Sequence, residues 1–115
     1  MTHWETIWQF QTANFCVTCD VAPEEMDPAD SFCCQDDIDA VRTGAVDWFM
    51  VRVQVSLGAN VLGEDYLGGC AYRNASDFAR GADRDGYFRD MVRAVIGDAR
   101  KELSRIRLLG CREVA

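Results

Sequence analysis

Between Val46 and Leu57 the chain alternates without a break: Phe49, Val51, Val53, Val55 and Leu57 on one parity, Trp48, Met50, Arg52, Gln54 and Ser56 on the other. Successive side chains of a strand point to opposite faces, so this pattern predicts a strand with one buried side. Such a strand needs neighbours and a covering layer. Phe15, Val17, Cys19 and Val21 alternate with Cys16, Thr18 and Asp20 in the same way, and Thr6-Ile7-Trp8-Gln9-Phe10 precedes them across a turn at Gln11-Thr12-Ala13-Asn14, which predicts a hairpin. After Val46–Leu57, Gly58-Ala59-Asn60 predicts a second turn and Val61–Leu67 an antiparallel return, with Gly63 or Gly68-Gly69 at a bulge. Gly69-Cys70-Ala71-Tyr72 either extends that strand or begins a fifth. Asn74–Arg80 reads as a connection or one helical turn.

The covering layer is legible at the other end of the chain. Phe88, Met91, Val92, Val95, Ala99, Leu103 and Ile106 recur at helical spacing from about Gly86 to Leu108, predicting one long helix across a sheet face. Gly97 weakens it by about 1 kcal/mol relative to alanine. Between the two hairpins, residues 22–35 hold both prolines, Pro23 and Pro28, and read as a long loop. A short helix follows at 36–44, with acids near its N-terminus and Gly44 to end it. The expected fold is therefore α+β, a single domain over residues 1–115: an antiparallel sheet of four to five strands with a C-terminal helix on one face.

At 115 residues with 49% hydrophobic composition the chain can bury a core without disulfides. The start Met1–Glu5 lacks the basic-then-apolar order of a secretory leader, and no apolar run approaches a membrane span. Its six cysteines are accordingly read as reduced thiols of a cytoplasmic protein. Charge is divided unevenly. Residues 1–47 carry ten acids against Arg42 alone, whereas residues 80–115 carry nine bases and six acids. A surface this acidic repels nucleic acid and suits a basic protein partner.

Motifs for chemistry are sparse. Cys16-Val17-Thr18-Cys19 with Cys33-Cys34 could supply four zinc ligands, but on a strand Cys16 and Cys19 face opposite sides of the sheet. The expectation is no metal and no cofactor. His3 is the only histidine and lies near the N-terminus, so a catalytic arrangement would have to be built on it alone, and no enzyme activity is expected. The glycines of Glu64–Cys70 lack a phosphate-binding frame, and the arginines of the last helix read as surface pairs with Asp90, Asp98 and Glu102. The stretch Asp27, Asp30, Asp36, Asp37 and Asp39 lacks the order of a calcium loop, and Asp20, Glu24, Glu25 and Asp47 extend the same run of acids. Together they are the candidate partner-binding residues, spaced to imitate nucleic-acid phosphates and occupy a basic groove.

The blocks Trp8-Gln9-Phe10, Asn14-Phe15-Cys16-Val17, Asp65-Tyr66-Leu67-Gly68-Gly69-Cys70-Ala71-Tyr72 and Tyr87-Phe88-Arg89-Asp90-Met91-Val92-Arg93 resemble a family of small proteins encoded by bacteriophages and prophages. The resemblance spans most of the chain. Cys70 belongs to its pattern, while Cys16–Cys19 and Cys33-Cys34 do not, and the link between Tyr72 and Tyr87 is shortened. What it implies is a phage setting in a bacterial host cytoplasm. By analogy with anti-CRISPR proteins, the expected function is inhibition of a bacterial CRISPR effector, a ribonucleoprotein with a basic surface, as a monomer or dimer. One alternative is a phage accessory or structural protein that self-associates, or joins another phage protein, through aromatics such as Trp4 or Trp48; another is a zinc-binding module using Cys16, Cys19, Cys33 and Cys34.

Overall fold

The computed structural model describes residues 3–80 and 86–114, with side chains of the last helix described through Arg107. Four strands, β1 (Glu5–Gln11), β2 (Cys16–Pro23), β3 (Asp47–Leu57) and β4 (Asn60–Tyr72), pair antiparallel in the order β1-β2-β3-β4. The connection between β2 and β3 carries a 3-10 turn at Pro28–Asp30 and helix α1 (Gln35–Arg42). A second 3-10 segment, Ala75–Arg80, follows β4, and helix α2 runs from Tyr87 to Val114. The α+β expectation holds, with four strands. Residues 69–72 extend β4 instead of starting a fifth, because Gly69 at φ +67° and a register shift opposite Phe49–Val51 bend the strand without ending it. Helix α2 begins where the apolar spacing predicts and continues past Leu108.

One face of the sheet is dry. Val17, Cys19, Val51, Val53, Val55 and Cys70 are buried there against Met91, Val95 and Ala99 of α2. Helix α2 lies over β3 and β4 and comes closest at Gly63, where an added Cβ would stand 2.5 Å from the Val95 carbonyl oxygen. At the head of the helix Phe78 is fully buried. Its ring meets Phe49, Tyr72 and Phe88 edge to face, and Phe88 meets Trp8 at 5.0 Å.

The other face carries a polar ladder. Thr6, Asp20, Arg52 and Tyr66 stand side by side on the four strands. The Thr6 hydroxyl donates to Asp20 Oδ1 at 2.7 Å, and Arg52 donates through Nε and Nη2 to Asp20 Oδ2 at 3.2 and 2.8 Å. Arg52 also lies 4.5 Å from the centre of the Trp4 ring, a cation–π contact that shields the pair from water. In the next row Gln54 and the Tyr66 hydroxyl both donate to Glu64 Oε2.

Candidate partner-binding surface

The acidic residues divide by strand parity and by element. Asp20 occupies an outward parity of β2 yet is only 4% exposed, since Arg52, Thr6 and Trp4 close over it. Asp20 is therefore a ladder residue, not part of a contact surface, and the expectation that it joins the docking acids is corrected. Cross-strand register decides this, because it sets the one nearby cation of the sheet directly opposite Asp20.

The other eight lie on or beside the β2–β3 connection. Glu25, Asp27, Asp30, Asp36, Asp37, Asp39 and Asp47 are exposed. Glu24 is half-buried and accepts the Gly69 backbone N–H at 2.9 Å, tying the connection to β4. Asp47, at the start of β3, accepts the Ala75 N–H at 2.8 Å. Asp27 caps the Pro28–Asp30 turn by accepting from Ala29, and it pairs with Arg42 across the connection at 3.2 Å. The Ala29 N–H above all, with Arg42 adding to it, holds the Asp27 carboxyl below its ordinary range. Asp36 and Asp37 sit in the first turn of α1, where the helix dipole favours them.

Packing gives this connection a fixed form. Ile38 of α1 is buried, the Phe32 ring rests on Trp48 at 5.5 Å, and Trp48 Nε1 donates to the Met26 carbonyl at 2.8 Å. Through Trp48 and Glu24 the connection that bears the carboxylates is tied to β3 and β4. Residues 24–47 hold eight acids against Arg42 alone, a net of −7, equal to the charge of the whole chain; the eleven acids and eleven bases elsewhere cancel. The electrical asymmetry is therefore narrower than the sequence halves suggest.

Cys16, Cys19, Cys33 and Cys34, the four candidate zinc ligands, are not gathered. Cys33 and Cys34 are exposed at the head of α1, Cys19 is buried in the core, and Cys16 lies on the opposite sheet face, where Gln9 donates to its sulfur at 3.3 Å. Burial, followed by the charge of Asp20 and then Cys70, pushes the Cys19 thiol up to about 12, the reverse of what a metal ligand or nucleophile needs. Among the described residues no group of three or more histidine, cysteine or acidic side chains stands at metal-ligand spacing. His3 is exposed. The two tryptophans named as self-association anchors are engaged within the chain, Trp48 by Phe32 and Met26, Trp4 by Arg52 and Tyr66.

Sequence reasoning overlooked an apolar groove on the helix side of the sheet, about 140 Å³ in volume, between the β1–β2 hairpin and α2. Phe10 and Leu103 were visible as apolar residues, but the part of the sheet the helix leaves bare follows only from its placement over β3 and β4. Among the described residues no helix is long and apolar enough to cross a membrane. No family model, curated protein or solved structure matches the chain.

Proposed function

We propose that the chain is a binding protein of the anti-CRISPR kind, whose acidic β2–β3 connection occupies a basic, nucleic-acid-binding surface of a bacterial effector complex. What carries the reading is the concentration of the entire net charge, −7, in residues 24–47, on a connection tied to β3 and β4 through Trp48 and Glu24. Carboxylates on a fixed scaffold complement a basic groove without the ordering cost of a loose tail, and they speed encounter in a salt-dependent way. A contact of this kind needs no reaction at the inhibitor itself.

The test is interference with phage targeting. Expression of the chain in bacteria carrying an active CRISPR system should restore plaque formation by a targeted phage. Changing Asp36, Asp37 and Asp39 together to lysine should abolish that rescue and weaken binding to the purified effector at least tenfold. Lysines in the first turn of α1 oppose the helix dipole, so the triple asparagine variant, which spares the helix, should give an intermediate loss. Equal binding by all three proteins would remove the connection from the interface.

A further inference from the structure

Helix α2 carries its charges on two different sides. Asp98, Lys101, Glu102 and Arg105 lie together at i, i+3 and i, i+4 spacings, and Arg105 pairs with Glu102. Arg93, Arg100 and Arg107 recur every seven residues and so form one line along the helix. Arg100 and Arg107 have no acid three or four positions away in either direction. Among the described residues no carboxylate comes within 4.0 Å of any of these three arginines, and all three are exposed. The reading of the helix arginines as ordinary surface pairs holds for Arg105 and fails for this line.

Of that line, Arg100 borders the apolar groove. Phe10, Phe15, Val17, Val55, Ile96 and Leu103 line it, with Arg100 at its rim. Phe10 is 55% exposed, and beyond the groove Leu57 and Ile106 are 37% and 45% exposed. Geometry explains the gap. Four strands about 4.8 Å apart make a sheet roughly two helices wide, and α2 covers the half made by β3 and β4. At the head of α2, Trp8 packs against Phe88 and covers the sheet there. The groove lies near the β1–β2 turn, whereas the acidic connection joins β2 and β3 at their opposite ends. The length of β3, about 35 Å, exceeds the screening distance of about 8 Å at physiological salt.

We infer that this groove is a second docking site, which takes an amphipathic helix of a partner protein, apolar along one side and acidic along the flank that meets Arg93, Arg100 and Arg107. Charge complementarity selects this occupant. A second copy of the chain, lying antiparallel on the same groove, would bring one arginine line against another. The site is separate from the acidic connection and does not depend on its role.

The probe is a fluorescein-labelled 18-residue helical peptide of leucine and glutamate, with leucines at i, i+3 and i+4, set beside its leucine–lysine counterpart. Anisotropy should show saturable binding of the glutamate peptide, at least tenfold weaker binding of the lysine peptide, and loss of affinity with added salt. Replacing Arg100 and Arg107 with glutamate changes only exposed side chains and should reverse the preference between the peptides; Leu103→Asp should abolish binding of both. Absence of saturable binding, equal affinity for the two peptides, or an unchanged preference in the arginine variant overturns the assignment. Tighter binding of a single-stranded oligonucleotide to the same arginines also overturns it. So does a dimer in sedimentation velocity that Leu103→Asp dissociates, since the groove would then be covered by a second copy.

Discussion

At Gly63 the sheet and the long helix meet backbone to backbone, with 2.5 Å between the Val95 carbonyl oxygen and the place a Cβ would take. A carbonyl cannot rotate aside as a side chain can, so Gly63→Ala must push α2 away from β4. The expected cost is about 1–3 kcal/mol, the range for overpacking a tight contact, read as a lower urea midpoint with an unchanged slope. Gly97 is a useful control. Nothing lies within 4 Å of a Cβ there, so Gly97→Ala should stabilise the helix by up to about 1 kcal/mol. Sequence spacing marked Gly63 as a candidate for a bend, but its role in close approach depends on which helix turn lies above it, and no local pattern encodes that. Asp20 shows the same limit. Its outward parity was legible, and its burial was not, because burial comes from Arg52 on another strand and Trp4 beyond the start of β1.

At the scale of elements, the ladder Thr6–Asp20–Arg52–Tyr66 ties all four strands together on the face without a helix. Removing Arg52 leaves the Asp20 carboxylate enclosed with only the Thr6 hydroxyl as partner. Arg52→Ala should therefore cost about 3 kcal/mol, whereas adding Asp20→Ala to it should recover part of the loss. A double-mutant cycle in chemical denaturation measures the coupling, and strict additivity would show that the pair contributes nothing beyond its separate contacts. The strands themselves were readable, since β3 follows a period of two through five buried or core-facing positions and Val51 and Val53 are completely enclosed. The long connection was readable only as a loop and a short helix. Its anchoring by Trp48 to Phe32 and Met26 joins residues far apart in the chain, so the acids could be enumerated before their support was visible.

Across the whole molecule, α2 outruns the sheet that supports it. Ser104, Arg105, Ile106 and Arg107 are all exposed, and the molecule measures 64 × 26 × 24 Å. Its radius of gyration is 17.3 Å, against about 13 Å for a compact chain of this length. Small-angle scattering of the monomer should return a value near 17.3 Å; one near 13 Å would mean that the helix end folds back. The groove arises at this scale, from one helix covering a sheet two helices wide, which is why it did not stand out while the residues were taken in order. The tethering of the acidic connection through Glu24 and Trp48 has a kinetic consequence. Negative charge fixed at the β2–β3 end of the sheet and the exposed arginines Arg93, Arg100 and Arg107 along α2 give the body a permanent electric moment, so any basic surface exerts a torque that turns the connection toward it during diffusion. Collisions would then begin in a productive attitude, and dissolved ions would lower the capture rate before they affected the lifetime of the complex.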